Sequence, residues 1–260
     1  MSLAEFIRYK QQQKELKQLN AALHHQPAKK GFDYSDWPII KPSIDGCDWE
    51  VVAMEWGFLP ERLKTQQDAM NFRRGYTNAS GKFIPPMTTL NAMGEELLQP
   101  YKMYRESALK RRCLVLSSGF YEHRHIFPMG KKGLPLKTPK KYPYHITVPS
   151  KPVFMIAGIY TPWIDTETGE VKDTFALCTT KANSLMQQVH NSKMRMPTIL
   201  TDELADEWSN PNLSEERIIE IATNVYPVEH MKAYTVSKSF LEDADPTAEI
   251  IYPELPELAY

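Results

Sequence analysis

The 260-residue chain is long enough for one large domain or two small ones, with 42% hydrophobic and 24% charged residues. Twenty prolines against eleven glycines disfavour a helix bundle, and three widely spaced cysteines exclude a disulfide or metal framework. The longest apolar run is about eight residues, too short to span a membrane. We therefore expect a reducing, cytoplasmic setting.

The first part of the chain mixes helical and irregular patterns. Residues 2–23 place leucines, a phenylalanine and an isoleucine near one helical face, and Ser2 with Glu5 fits a capping box. Residues 25–48 are proline-rich and are predicted to be irregular. Residues 49–55 alternate like a strand, 56–60 indicate a turn, and 101–112 favour a short helix.

From residue 113 onward the pattern becomes mostly β. Strands are predicted at 113–117, 144–148, 153–160, 174–179 and 234–237, with a long loop at 128–142 and a hairpin turn at 165–169. Helices are predicted at 181–190, 201–210 and 214–224. The pattern indicates one α+β domain with a mostly antiparallel, barrel-like sheet and peripheral helices. In this interpretation 1–24 is a helix, 25–48 irregular, 49–240 the core and 241–260 an acidic tail.

Charge is distributed unevenly along the chain, although the formal net charge is only −1. Residues 101–141 contain eleven Lys or Arg and two Glu, a local charge of +9, whereas 241–260 contain six acids and no base. The basic stretch is either a solvated surface or a phosphate-contacting one, and its position around Glu122 makes phosphate contact a working hypothesis.

Two polar signatures are candidates for acid–base chemistry. Gly119-Phe120-Tyr121-Glu122 follows an apolar run, so we expect a carboxylate at the end of a buried strand, where desolvation suits it to proton transfer. His190 ends a predicted helix, whose C-terminus would stabilise an imidazolium near neutral pH. The alternatives are a surface glutamate that pairs with Arg124 and a histidine that caps its helix. We expect Glu122 and His190 to meet in one cleft that also receives the start of the chain.

Other polar residues suggest binding. Arg195, before Met196-Pro197, is suited to a bidentate phosphate contact or to an ordinary ion pair. Asn91 suits a base edge or sugar, or simply a turn. Aromatic residues could stack on bases but more often pack in a core; they are Trp56, Phe58, Tyr121 and Trp163. His123 and His125 share a strand face, which makes a metal site conceivable, but no third ligand stands out in the sequence, so neither a metal site nor a cofactor is predicted.

Several short motifs, taken in order, resemble the SRAP family, the SOS response-associated peptidase proteins. They span about residues 49–210 and are Trp56-Gly57-x-x-Pro60, Asn91-Ala92, Arg111-Arg112-Cys113-Leu114-Val115, Gly119-Phe120-Tyr121-Glu122, Ala157-Gly158-Ile159-Tyr160, Thr179-Thr180-Lys181-Ala182-Asn183, and His190 with Arg195-Met196-Pro197.

The resemblance implies a specific activity. Members of the family remove their own initiator methionine and expose a cysteine, whose amine and thiol capture the aldehyde of an abasic site in single-stranded DNA as a thiazolidine crosslink. It implies that Glu122 handles protons at the amine and in methionine removal, and that His190 assists opening of the sugar ring. DNA contacts are expected at six residues, which are Asn91, Arg111, Arg112, Arg195, Trp56 and Pro60.

Two positions depart from the family pattern. Met93 stands where an arginine is usual, which puts one phosphate contact in doubt. Ser2 stands where the family has its nucleophilic cysteine, and internal cysteines cannot replace it because a thiazolidine needs an amine and a thiol on one residue. The opening Met1-Ser2-Leu3 resembles an expression leader that replaces a natural start; the alternative is a member that does not crosslink.

Three functions follow as hypotheses. The first is abasic-site capture with peptidase and lyase-like imine chemistry, in a monomer that acts on single-stranded DNA and associates with the nucleoid but not with membranes. The second is non-enzymatic binding of single-stranded DNA or of a junction. The third, and least favoured, is a metal hydrolase built on three histidines, which are His123, His125 and His190.

Overall fold

The computed structural model describes residues 28–43 and 49–259, which form two compact units. The larger unit contains Lys29–Leu116 and Met155–Glu229 together with residues 258 and 259. The smaller unit contains Ser117–Phe154 and His230–Glu257. The predicted helix at 2–23, Ser2 and Cys47 lie outside the described residues.

The described residues contain thirteen strands. They are β1 (Asp36–Pro42), β2 (Trp49–Trp56), β3 (Tyr76–Thr77), β4 (Phe83–Ile84), β5 (Asn91–Met93), β6 (Arg112–Ser117), β7 (Phe120–Ile126), β8 (Lys140–Thr147), β9 (Phe154–Ile164), β10 (Val171–Lys181), β11 (Arg195–Pro197), β12 (Ile199–Leu200) and β13 (Lys232–Thr235). Five α-helices accompany them, α1 (Gln66–Arg74), α2 (Arg105–Lys110), α3 (Ser184–Val189), α4 (Asp202–Trp208) and α5 (Glu215–Ala222).

An eight-stranded sheet forms the larger unit. Its strand order is β11-β10-β2-β1-β6-β9-β12, and β5 pairs with β10. Since β9 also pairs with β10, from Val171 opposite Ile164 to Leu177 opposite Gly158, the path through five strands closes on itself. A closed sheet has no free edge along that path. The mixed α+β, barrel-like fold predicted from the sequence is confirmed.

The helices of the larger unit cover a buried core. Trp208 of α4 is fully buried, and its indole N–H donates to the carbonyls of Cys113 and Gly158 at 3.1 and 3.2 Å. These hydrogen bonds satisfy the indole N–H, so the large ring can be buried in the core without an unpaired polar group. The core also includes small residues of β9 and β10 and apolar residues of α5, among them Ala157, Ala176, Ile218 and Ile221.

The smaller unit is a three-stranded antiparallel sheet in the order β13-β8-β7. Its chain continues beyond β13, and Glu249 bridges back to Val236. The predicted acidic tail is therefore a packed segment over its described part, since Tyr142 donates to Glu254 at 2.9 Å and Arg124 donates to the carbonyl of Pro256 at 2.7 Å.

The prediction of an irregular 25–48 was wrong at Asp36–Pro42, which is a strand paired with β2 over its whole length. Proline removes a hydrogen-bond donor but not the extended backbone, and Ile39, between the two prolines of the strand, is fully buried. The predicted helix at 181–190 begins later, at Ser184, because Asn183 accepts from the backbone N–H of Met186 at 3.0 Å and caps it.

Cys113 and Cys178 are free, buried thiols. Burial raises the pKa of both, so neither is ionised near neutral pH. Among the described residues, none of the helices combines the length and the apolar character that crossing a membrane requires.

Candidate functional site

Glu122 lies on β7 of the smaller unit. It is the third of the seven residues of that strand and faces Tyr144 of β8 in the register, so the prediction that it ends a strand was wrong. The strand that precedes it ends at Ser117, whose hydroxyl donates to the carbonyl of Gly119 at 2.8 Å. A tight turn therefore separates the apolar run from the strand with Glu122, which is half-buried.

An aromatic stack supports the strand beside Glu122. Tyr121 lies between the ring of His145, at a centroid distance of 4.7 Å, and that of Phe240, at 4.2 Å. The Nδ1 atom of buried His145 lies 2.8 Å from the hydroxyl of Tyr234. Burial lowers the pKa of His145 to about 4, although nearby Asp245 opposes the shift. A neutral imidazole is thus part of the packing under β7.

Gly119 passes directly over His145. A Cβ atom at residue 119 would lie 2.2 Å from the Nε2 atom of His145, much closer than a carbon side chain can approach. Glycine is therefore needed because of this close approach of backbone and imidazole.

His190 lies in the larger unit, directly after α3. Its backbone N–H donates to the carbonyl of Met186 at 2.7 Å, and its Nδ1 atom lies 3.0 Å from the carbonyl oxygen of Arg195. A carbonyl only accepts, so Nδ1 carries a proton and, in the neutral ring, Nε2 carries the lone pair.

The expectation that His190 holds a proton near neutral pH was wrong. Burial lowers the pKa of His190, and the positive charge of Lys193 lowers it further. The hydrogen bond to the carbonyl of Arg195 raises this pKa, but by less. Burial disfavours the charged form of the imidazole more than the helix C-terminus favours it. His190 is therefore poised as a base, rather than as an acid, at neutral pH.

Arg195 forms an ion pair inside the larger unit. Its guanidinium donates to both carboxylate oxygens of Glu95, at 2.8 and 3.3 Å, and to Thr179. Burial alone would raise the pKa of Glu95, but Arg195 holds this pKa below its ordinary value. Of the two interpretations of Arg195 in the sequence, the structure matches the ion pair.

Arg112 is buried, with only 4% of its surface exposed. Its guanidinium donates to the carbonyls of Ala108, Leu109, Trp208 and Asn210, so it completes the end of α2 and the loop after α4. Burial lowers the pKa of Arg112 to about 10. A guanidinium in this position does not reach a DNA backbone, so its assignment to DNA contact was wrong.

Four of the predicted DNA-contact residues fall into two pairs within the larger unit. Trp56 of β2 and Asn91 of β5 are the first pair, because both strands pair with β10, where these residues are opposite Phe175 and Leu177. The indole N–H of Trp56 donates to the carbonyl of Leu90 at 2.9 Å. Asn91 is exposed.

Arg111 and Pro60 form the second pair, since both line one open cleft. Arg111 is partly exposed and lies 3.4 Å from the carboxylate of Glu61. The sequence could not show that these two residues, so far apart along the chain, face the same cleft.

The basic stretch is divided by the fold. Its first part, in the larger unit, forms ion pairs, which are Lys102–Glu96, Arg105–Glu215, Lys110–Glu106 and Arg111–Glu61. Its second part, in the smaller unit, has a buried Arg124 and five exposed lysines, which are Lys131, Lys132, Lys137, Lys140 and Lys141. The exposed lysines of the stretch are therefore concentrated in its second part.

The arrangement of the described side chains does not support the hypothesis of a metal centre. Over residues 28–43 and 49–259, no group of three or more His, Cys, Asp or Glu stands close enough together to hold a metal ion. His123 and His125 lie on the β7 face opposite Glu122.

Comparisons with known proteins agree with this fold and these motifs. The family model described as "SOS response associated peptidase (SRAP)" matches residues 5–241. The Abasic site processing protein YoqW of Bacillus subtilis is 29% identical over 207 residues, which cover 80% of this chain and 78% of that protein. The Abasic site processing protein YobE of the same organism is 29% identical over 193 residues, 74% of either chain.

A solved structure has the same fold. A protein from Bacteroides thetaiotaomicron aligns with a TM-score of 0.68 and 34% identity, over 85% of this chain and 81% of that one. Because the family model spans nearly the whole chain, and the relatives share most of its length, the chain belongs to the SOS response-associated peptidase (SRAP) family.

Proposed function

We propose that this protein processes abasic sites in single-stranded DNA, with Glu122 and His190 as its acid–base groups. The observation that supports this most is the match of the SRAP family model to residues 5–241, together with relatives named abasic site processing proteins. Every motif quoted for the family, from Trp56 to Pro197, lies within that match.

His190 suits the first chemical step, the opening of the sugar ring. An abasic sugar is a cyclic hemiacetal, and opening requires removal of the proton from the hydroxyl on C1 and return of a proton to the ring oxygen. The lone pair on Nε2 of His190 can accept the hydroxyl proton because Nδ1 is fixed as a donor to Arg195. The lowered pKa of His190 keeps this base available at and below neutral pH.

Glu122 suits the second step, the attack of the α-amine of residue 2 on the aldehyde. The amine must lose a proton before its nitrogen forms a bond to the carbonyl carbon, and the resulting hydroxyl must gain a proton before it leaves as water. One carboxyl group can perform both transfers in turn. The same carboxylate can activate the water that hydrolyses the peptide bond after Met1.

The side chain at residue 2 decides whether the product is stable. A cysteine thiolate adds to the imine carbon and closes a five-membered ring, while the imine nitrogen takes up a proton. The Ser2 hydroxyl is a far weaker nucleophile than a thiolate. We therefore expect the present chain to form at most a reversible imine, and the Ser2→Cys variant to form a lasting crosslink.

Two pairs of residues in the larger unit complete the proposal as DNA contacts. Asn91 of β5 and Trp56 of β2 lie on two strands that both pair with β10, where an amide can bond to a sugar or base and an indole can stack. Arg111, at the cleft that Pro60 lines, can bind a phosphate. Arg195 contributes through two contacts: its guanidinium binds the carboxylate of Glu95, and its backbone carbonyl accepts the hydrogen bond from Nδ1 of His190.

The experiment uses a labelled oligonucleotide with one abasic site and a denaturing gel. Ser2→Cys protein, prepared with a cleavable leader so that the introduced cysteine is the first residue, should give a retarded band that survives boiling. A second preparation that keeps Met1 should lose that residue, as seen by intact mass. Glu122→Gln should impair both reactions, whereas Glu167→Gln, at an exposed turn, should impair neither. Without a band from the cleaved Ser2→Cys protein, the proposal is wrong.

A further inference from the structure

The connection between β7 and β8 is an ordered hairpin ribbon, which we call the 127–139 ribbon. Met129 and Pro135 form an antiparallel bridge. Two backbone hydrogen bonds flank it, from Gly130 to Leu134 at 2.8 Å and from Leu136 to Pro128 at 2.8 Å. A turn closes the tip, where Gly133 has a φ of +72°. The sequence predicted only a loop here.

The ribbon exposes four large apolar side chains. The exposed fractions are 49% for Phe127, 65% for Met129, 68% for Leu134 and 49% for Leu136. Residues directly opposite each other in an antiparallel pair share a face. Phe127 and Met129 therefore lie on one face and Leu134 and Leu136 on the other, so the ribbon presents apolar groups on both sides.

The ribbon is also basic. Lys131, Lys132 and Lys137 are exposed on it, and the 42 residues from His123 to Ile164 contain seven Lys or Arg and no Asp or Glu. A positive ribbon with apolar groups on both faces complements a ligand that has both phosphates and accessible apolar planes. Single-stranded nucleic acid is such a ligand, whereas a duplex hides the faces of its bases.

We propose that the 127–139 ribbon is a second DNA-contact surface, on which unpaired bases pack against Phe127 and Met129 while phosphates bind the neighbouring lysines. The partner is single-stranded DNA flanking the lesion, and this assignment rests on the proposed function of the protein. The ribbon lies outside every DNA contact that the motifs indicate. Apolar side chains such as Phe, Met, Leu and Pro are the kind that intercalate at base steps, and stacking on an aromatic ring is sequence-tolerant.

Binding of an unmodified poly-thymidine oligonucleotide, followed by fluorescence anisotropy, tests the proposal. The oligonucleotide has no abasic site, so the result does not depend on any covalent chemistry. The double variant Phe127→Ser/Met129→Ser should bind at least about fivefold more weakly, since one stacked base contributes roughly 1–3 kcal/mol. The matched control Val171→Ser removes an equally exposed apolar side chain in the larger unit and should bind like the original protein.

Two further variants separate stacking from charge and from folding. Lys131→Gln/Lys132→Gln should flatten the dependence of affinity on salt, because fewer counterions are released. Leu134→Ser, on the face of the ribbon opposite Phe127 and Met129, should leave both the affinity and the thermal midpoint unchanged, so it controls for the folding of the hairpin. Affinities of the Phe127→Ser/Met129→Ser and Lys131→Gln/Lys132→Gln variants within twofold of the original would overturn the proposal, as would an equal loss of affinity in Leu134→Ser.

A membrane partner would give a different pattern. Vesicles with phosphatidylglycerol that capture the protein in a Phe127-dependent way, while the oligonucleotide does not bind, would also overturn the proposal. If the Ser2→Cys protein forms no crosslink but the ribbon variants still lose affinity, the proposed chemistry fails and the ribbon assignment stands. The reverse pattern would remove the ribbon alone.

Discussion

The buried histidine of the smaller unit should make the protein sensitive to mild acid. His145 is 6% exposed, and burial lowers its pKa from an ordinary 6.5 to about 4. Between these two values the unfolded chain binds a proton that the folded chain does not. The free energy of unfolding therefore falls as pH decreases through this window, and the full contribution of His145 is present only above about pH 6.5.

The size of the effect follows from the shift. Each pKa unit corresponds to about 1.4 kcal/mol, so the complete shift corresponds to about 3 kcal/mol, of which about 2 kcal/mol is lost between pH 7.5 and pH 5.0. The reference is the variant His145→Gln, which does not titrate in this range but keeps a polar group near the hydroxyl of Tyr234. Its stability should change less over the same pH interval.

Urea unfolding at the two pH values, followed by tryptophan fluorescence, measures the difference. We expect the original protein to lose about 2 kcal/mol more than His145→Gln, after subtraction of the loss that both share. Equal losses in the two proteins would refute the reasoning, because the imidazole would then titrate alike in the folded and unfolded chains.

Three further predictions concern packing. Arg112→Met should lower the free energy of unfolding by about 3 kcal/mol or more, because it leaves four carbonyls without their donor, two of them at buried hydrogen bonds; a loss below about 1 kcal/mol in urea unfolding would contradict this. Gly119→Ala should lower the thermal midpoint, and a second change, His145→Ala, should restore part of it because the close contact with Nε2 is gone. Cys113 and Cys178 should resist brief iodoacetamide treatment until urea is added, as peptide mapping would show; rapid labelling in native buffer would mean that they are accessible.

The sequence predicts elements best where local signals agree. Thr201 and Ser214 each accept a hydrogen bond from the N–H three residues onward and begin α4 and α5 near the predicted starts. Strand β1 was missed because its two prolines are typical of a loop. Its extended conformation is stabilised by pairing with β2 and β6, which the local sequence does not show. Helix α1 was not predicted, since its mostly polar residues give a weak apolar period, while Thr65 and Asp68 form a capping box at its start.

Predictions for the site were weaker where they depended on what a side chain meets in three dimensions. The sequence placed Arg111 and Arg112 together as DNA contacts, but Arg111 is the C-terminal cap of α2 and stays partly exposed, whereas Arg112 begins β6, whose residues are all buried. The pKa of His190 is set by burial and by Lys193, and a helix C-terminus in the sequence does not reveal either effect. The exposed apolar residues of the 127–139 ribbon look like a loop in the sequence, because their exposure depends on the hairpin register.

The central claim, that Glu122 and His190 move protons in abasic-site chemistry, is tested most directly by separating rate from affinity. In the Ser2→Cys background, Glu122→Gln and His190→Gln should slow single-turnover crosslinking about 100-fold, a typical effect of losing one acid–base group. Affinity for the same oligonucleotide with an intact base should stay within about twofold, because neither change removes a phosphate contact. Parallel losses in rate and affinity would contradict the claim and leave both residues with structural roles only.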